Sequence, residues 1–158
     1  MEVKEFTHID VQSIREDFCV YEVENGQILK VKNTVGDIKN EKTKDGQAFG
    51  NIGFKDMSLV ITPKPIDTKE YEYMPREKVK EEHQTKELKF KPIREIINIY
   101  ETINSIILVS TKVEKIFLTN KKDETDAPIL RYKTTSGINV IQKAQLTEKQ
   151  DKKNSPNS

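Results

Sequence analysis

Few side chains in this sequence have the types and spacing that chemistry requires. The two histidines, His8 and His83, lie in different segments, and neither has a partner at the spacing of a metal-binding or catalytic motif. Cys19 is the only cysteine, so it forms no internal disulfide, and the residue pattern around it predicts a buried, unreactive thiol. We therefore predict surface histidines, no catalytic residue and no metal ligand.

Two polar stretches contain residue types that bind phosphate or calcium elsewhere. Residues 46–53 include three glycines, but the Lys-Ser/Thr pair of a phosphate-binding loop is missing. Residues 123–126 include three carboxylates, but they lack the spacing and the glycine of an EF-hand loop. We interpret the first stretch as turn chemistry and the second as a solvated acidic loop, and we expect no cofactor.

One set of charged and aromatic residues occurs twice. Ile-Arg-Glu at 14–16 and Tyr-Glu at 21–22 return 79 residues later, at 93–95 and 100–101. Eight of the sixteen positions from 14 to 29 are identical without a gap, whereas background frequencies of about 6% per position give roughly one. After a one-residue gap the match continues more loosely. The sequence therefore predicts an internal duplication, spanning about residues 7–62 and 86–142.

Recurrence of these residues indicates a shared constraint rather than a shared reaction. We interpret Tyr21 and Tyr100 as equivalent core positions, with the neighbouring charges paired across strands. Catalysis by two carboxylates needs opposed groups in a cleft, which this spacing does not define. If the exposed charges bind a partner, the candidate binding residues are Arg15, Glu22, Lys30, Lys32, Arg94 and Glu101.

The first copy predicts a β-hairpin whose register can be tested by polarity. Glu24-Asn25-Gly26 has the composition of a three-residue loop with glycine in the left-handed conformation. Pairing Val23 with Gln27 places residues 19, 21, 29 and 31 on one apolar face. A two-residue loop would mix charges into both faces.

The second copy allows two interpretations, because its apolar residues from Pro92 onward also fit a helical stripe with proline in the first turn. The isoleucine-rich run at 96–103 and the match to the hairpin favour strands. The other predicted strands are 3–11, 54–62, 113–118, 129–134 and 138–142, with a tight turn at Gly137 and loops at 42–53 and 123–128.

These elements predict an all-β fold of two tandem β-meander units, packed as a pseudo-twofold sandwich or barrel, with two separate small barrels as the alternative. The expected divisions are a first unit at 1–62, a charged, proline-bearing linker at 63–85 that can form a short helix, a second unit at 86–142, and a disordered tail at 143–158. Each unit alone is marginal in size for a single core, which favours shared packing.

Composition narrows the class of function. No apolar run is long enough to cross a bilayer, the N-terminus lacks an export signal, and a single cysteine suits a reducing compartment, so we expect a cytoplasmic protein. The net charge is +1, with 23 lysines and only 4 arginines. Because phosphate recognition favours the guanidinium group, this ratio weakens a nucleic-acid function.

The sequence therefore predicts a non-catalytic interaction or structural module, with a protein partner or self-association as a homo-oligomer, and no membrane contact. The alternative is a small β-barrel that binds single-stranded nucleic acid through Lys30 and Lys32 with Phe18 and Phe54 as stacking groups. An enzyme whose groups converge only in three dimensions is the least favoured possibility.

Overall fold

The structure, a computed structural model, describes residues 3–43 and 48–144, and it is mostly β-strand. Its strands form two sheets, which are antiparallel apart from one two-residue parallel pair. The strands are β1 (Val3–Ile9), β2 (Gln12–Arg15), β3 (Cys19–Val23), β4 (Ile28–Thr43), β5 (Ala48–Ile61), β6 (Glu72–Tyr73), β7 (Gln84–Leu88), β8 (Phe90–Arg94), β9 (Ile97–Glu101), β10 (Ser105–Lys122) and β11 (Pro128–Gln142).

Sheet A is organised around the long strand β4. Along one side of β4, its first part pairs with β3 and its last part pairs with β1. Along the other side β4 pairs with β5 over nearly its whole length. Strand β8, from the second half of the chain, completes the sheet next to β3.

Sheet B repeats this plan around β10. The first part of β10 pairs with β9, its later part pairs with β7 and then β6, and its other side pairs with β11. Strand β2, from the first half of the chain, completes the sheet next to β9. Strands β2 and β8 therefore each belong to the sheet of the opposite half.

This exchange corrects the predicted β-meander, in which each strand would pair with the next. Strand β2 does not pair with β1 or β3; its four side chains are exposed, and its backbone pairs with β9. In the part of the chain that is described, neither sheet closes on itself, so the barrel form is not observed.

The β3–β4 hairpin has the predicted register. Cys19 lies opposite Val31 and Tyr21 opposite Leu29, and all four are buried. Gly26 has a φ of +95°, the left-handed conformation that a three-residue loop needs and that glycine adopts without strain. The segment predicted as strand or helix forms strands β8 and β9, so the strand interpretation is confirmed.

The corresponding hairpin β9–β10 has a shorter loop. Thr102 donates its N–H to the carbonyl of Ser105, so only two residues form the turn, whereas Val23 pairs with Gln27 around three. Tyr100 therefore lies opposite Ile107, as Tyr21 lies opposite Leu29. The ungapped alignment, which matched Leu29 with Leu108, is wrong by one residue from the hairpin onward.

Two predicted breaks in the strands are absent. Gly137 lies inside β11 rather than in a turn; a Cβ there would be 2.8 Å from Ser110 Oγ on the neighbouring strand, so a larger residue would require the Ser110 side chain to move. Much of the predicted loop at 42–53 is strand, because Gly50 and Gly53 continue the ladder with β4. Residues 44–47, including Gly46, lie outside the described residues, as does the predicted tail beyond 144.

The predicted linker packs against sheet B. It contains β6 and two 3₁₀ turns, Arg76–Lys78 and Glu81–His83, where one short helix was predicted as possible. Lys121 Nζ lies 2.7 Å from Glu72 Oε2, and the buried Thr68 donates its hydroxyl to the carbonyl of Asp126 at 2.8 Å. The linker therefore contributes contacts to the second half.

The buried core draws on both halves of the chain. One cluster contains five residues of β3 and β4 with four residues of β7, β10 and β11: Cys19, Tyr21, Val23, Leu29, Val31, Leu88, Val113, Ile116 and Leu130. A second cluster contains Ile38 with Tyr100, Ile107 and Val109. Burying each large apolar side chain contributes roughly 1.5–3 kcal/mol, so separating the halves removes a large part of the stability.

We predict that neither half of the chain, expressed as 1–62 or 63–158, shows a cooperative thermal transition by circular dichroism, because each half contains only part of each cluster. Equal amounts of the two halves, mixed, should restore the transition seen for the intact chain. A half-chain that melts cooperatively by itself near the temperature of the intact protein would contradict a shared core.

Candidate functional site

The recurring tyrosines and glutamates meet across the two halves. Tyr21 Oη donates a hydrogen bond to Glu95 Oε2 at 3.1 Å, and Tyr100 Oη donates one to Glu16 Oε2 at 2.8 Å. Both tyrosine rings are buried. Each half thus supplies the tyrosine of one pair and the glutamate of the other.

Each tyrosine hydroxyl also accepts a backbone N–H. Tyr21 Oη accepts from Val113 N at 3.1 Å, and Tyr100 Oη accepts from Val35. Val35 and Val113 immediately precede the register shifts of β4 and β10, where a bulge removes a residue from regular pairing. The tyrosine of one half therefore satisfies a backbone amide at the bulge in the other half, in a buried residue for Val113 and in a half-buried one for Val35.

This environment makes the tyrosines structural donors. Burial raises the pKa of Tyr21 to about 12, and burial with the hydrogen bond to Glu16 raises the pKa of Tyr100 further. A group active in proton transfer needs a pKa near the working pH. Both hydroxyls stay protonated at neutral pH, as their hydrogen bonds to the carboxylates require.

The two recurring arginines hold the exchanged strands. Arg15 donates from Nε and Nη2 to the carbonyl of Ile97, at 2.9 and 2.6 Å. Arg94 donates in the same way to the carbonyl of Phe18, at 3.2 and 3.0 Å, and its Nη2 lies 3.1 Å from Asp17 Oδ1. These two predicted binding residues thus have intramolecular partners at corresponding positions.

Glu22 and Glu101, also predicted binding residues, each border an open cleft. The cleft beside Glu101 has a volume of about 540 Å³ and includes Asp10 and Gln12; Lys143 Nζ lies 2.6 Å from Glu101 Oε1. The cleft beside Glu22 has a volume of about 500 Å³ and includes Lys89 and Lys91 at the corresponding positions. The two clefts therefore differ in charge, and the structure does not bring the two glutamates together.

Lys30 and Lys32 lie on the outer face of sheet A, the face directed away from the buried clusters. Lys32 Nζ is 3.1 Å from Glu16 Oε1 and 4.7 Å from the centre of the Phe18 ring. Phe54 lies opposite Val35, on the other face of the sheet. The residues of the predicted nucleic-acid groove are thus divided between two faces.

The outer face also has an apolar part that the sequence analysis did not identify as a site. Met57, Leu59 and Ile61, at alternate positions of β5, have exposed fractions of 40%, 48% and 36%. They lie directly opposite Lys32, Lys30 and Ile28. Within the apolar run Leu59-Val60-Ile61, the side chains alternate, and only Val60 packs against the core.

The remaining candidate residues have partners within the chain. His8 Nδ1 lies 3.1 Å from Asp37 Oδ1, and His83 Nδ1 accepts the N–H of Lys80 at 2.9 Å. Cys19 is buried, burial raises the pKa of its thiol, and its sulfur is within 3.5 Å of Ile96 N.

The acidic loop is ordered by its own backbone. Asp123 Oδ1 accepts hydrogen bonds from Thr125 and from the N–H of Ala127. Burial raises the pKa of Asp123, but these bonds outweigh it and hold the value below the ordinary one. Across residues 3–43 and 48–144, no three His, Cys, Asp or Glu side chains are grouped to hold a metal ion.

The geometry defines an all-β protein of two antiparallel sheets with an exposed apolar edge. In comparisons with known proteins, no family model, curated protein or solved structure matches the chain. Within the described ranges, every helix is too short or too polar to span a membrane.

Substituting either buried tyrosine tests the bulge contacts. We predict that Tyr21→Phe and Tyr100→Phe each lower the free energy of unfolding by about 1–3 kcal/mol, with the larger loss for Tyr21→Phe, because each leaves a backbone N–H without its acceptor and Val113 is more buried than Val35. Tyr73→Phe, at a 54% exposed residue, is the control and should change it little. Urea denaturation measures all three; equal values for Tyr21→Phe and Tyr73→Phe would contradict the assigned role.

The Glu16 contacts predict a loss of stability in acid. Burial raises the pKa of Glu16, but hydrogen bonds from Tyr100 and Lys32 outweigh it and hold the value below the ordinary one. A lowered folded-state pKa stabilises the protein above the unfolded value of about 4.3 and ceases to do so as pH falls through the folded-state value. The free energy of unfolding should therefore decrease as pH falls below about 4.3.

Lys32→Met should weaken this pH dependence, since it removes one of the groups that lower the Glu16 pKa. Urea denaturation between about pH 6 and pH 3 measures the change against Lys112→Met, an exposed lysine of sheet B. If Lys32→Met keeps the full pH dependence of the wild type, the Glu16 contact does not contribute to it.

Proposed function

We propose that the protein is a non-catalytic module that binds another protein along the edge of sheet A. The observation that carries the proposal is the row of exposed apolar side chains on β5, Met57, Leu59 and Ile61. Apolar residues scattered singly on a surface need no explanation, but three at alternate positions on one strand form a continuous strip.

The position of this strip supports binding of an extended segment. In the part of the chain that the structure describes, β4 is the only strand that pairs with β5. The outer edge of β5 therefore offers backbone N–H and C=O groups to an added strand, and its alternate side chains offer apolar contacts. Backbone bonds supply affinity in this mode, while the side chains supply specificity.

The scaffold of this module is, in our proposal, two copies of one unit packed as a pseudo-twofold sandwich. Three observations support it: the matching order of strands in the two sheets, the reciprocal exchange of β2 and β8, and the corresponding contacts of Arg15 and Arg94. Such a framework holds β5 against β4 through residues from both halves.

A peptide selection tests the binding function. Peptides of about ten residues, a length close to that of a typical strand, are displayed on phage and selected on the full chain. We expect selected peptides to bind in fluorescence anisotropy, and Leu59→Thr to weaken them roughly fivefold through the lost apolar contact.

Ile138→Thr is the matched control, because Ile138 is also 48% exposed and lies on β11, the edge strand of sheet B. It should leave the affinity unchanged. The proposal is wrong if no peptide is enriched over selection on an unrelated β protein, or if both variants weaken binding equally.

A further inference from the structure

Charge on the outer face of sheet A distinguishes possible occupants of the β5 edge. Lys55 precedes the apolar strip on the same face of β5, and Lys30 lies beside Leu59 on β4. Neither forms an ion pair with any residue in the described ranges. Lys32 is paired with Glu16, so its charge is largely offset. The strip is therefore bordered by two lysines that form no ion pair within the described ranges; Glu22, on the same face, lies one strand further away, opposite Ile28.

The carboxylate nearest in sequence does not cancel them. Asp56 lies between Lys55 and Met57 and points to the opposite face, because successive side chains of a strand alternate. It lies opposite Asn33, on the face of Val31 and Val35. An added strand thus meets apolar side chains and lysines on its outer face, and Asp56 and Ser58 on its inner face.

From this arrangement we propose that β5 binds an extended peptide of a partner protein that alternates apolar with small polar residues and has an acidic residue opposite Lys55. This inference rests on the proposed binding function and specifies its ligand. Apolar side chains opposite Met57, Leu59 and Ile61 cover the strip, and the carboxylate pairs with Lys55. Lys30, two strands from the peptide at about 10 Å, adds attraction that salt weakens.

A second copy of the chain fits this edge less well. In an antiparallel pair of β5 strands, directly opposed residues point to the same face, so the lysines of both copies share one surface. Pairing centred on Met57 places Lys55 opposite Leu59 of the other copy. Pairing centred on Asp56 opposes two carboxylates. Neither register gives a lysine an acidic neighbour on its own face.

The test uses six fluorescent heptapeptides in which valine and threonine alternate. One terminal residue, glutamate, glutamine or lysine, stands at the N-terminus in one peptide and at the C-terminus in another, because the strand can add in either direction. We expect the glutamate peptide to bind the full chain more tightly than the lysine peptide, by roughly fivefold at low salt, and to lose this advantage at high salt.

Charge reversal assigns the preference to β5. Lys30→Glu with Lys55→Glu should invert the order, so that the lysine peptide binds more tightly. Lys112→Glu with Lys115→Glu, which changes the net charge equally on exposed residues of β10, should not invert it. Circular dichroism confirms that both double variants are folded.

The outcomes separate this inference from the proposed function. If the glutamate, glutamine and lysine peptides bind equally and Leu59→Thr abolishes their binding, the peptide-binding edge stands but the acidic preference is overturned. If the β10 double variant also inverts the order of peptide affinities, net charge rather than β5 sets that order, and the acidic preference is again overturned. If sedimentation shows that the protein is a dimer and that Leu59→Thr dissociates it, the occupant of the β5 edge is a second copy of the chain, and the proposed peptide ligand is wrong. Absence of binding by any peptide, with a failed phage selection, contradicts both proposals.

Discussion

The exchange of two short strands between the sheets determines how the rest of the structure is arranged. Strands β2 and β8 have only four and five residues, and nearly all of their side chains are exposed, so burial contributes little to their placement. Backbone pairing and the guanidinium bonds of Arg15 and Arg94 hold them, at a net gain of about 1 kcal/mol per bond. The buried clusters supply most of the stability, while the exchanged strands link each sheet to the other half of the chain.

The bulges in β4 and β10 connect this exchange to the core. These strands have 16 and 18 residues, longer than most strands in globular proteins, and each changes its pairing partner part of the way along. A bulge at that point increases the local twist but leaves an amide without regular pairing. Because the tyrosine that accepts this amide comes from the other half, bending of one long strand requires the other half to be in place.

The pairing of a strand could be predicted from the sequence only where that strand buries one face. The β3–β4 hairpin was predictable to the residue, since any other register mixes lysines with the core side chains. The exchange was not, because β2 and β8 have no buried face to fix their sheet. Gly137 was mistaken for a turn residue, since a glycine inside a strand looks the same in sequence as one in a turn.

The residues of the candidate site were also predictable only in part. Recurrence identified the tyrosines, glutamates and arginines, but their partners lie about 80 residues away in sequence, and only the strand exchange brings them together. The β5 strip was missed for a different reason. Its apolar run is typical of a buried strand, and whether both faces are covered depends on which element lies above them, information that no local pattern contains.

The lysines beside the strip offer a physical reason why an apolar edge strand can stay open. An exposed hydrophobic edge strand favours pairing with identical edges, and proteins commonly oppose this with charges placed next to it. Lys30 and Lys55 are suited to that role because their long side chains can reach across the surface of β5. The same charges attract a strand that carries carboxylates. One pair of residues can therefore disfavour self-association and favour an acidic partner, which neither an uncharged apolar edge nor a fully charged one could do.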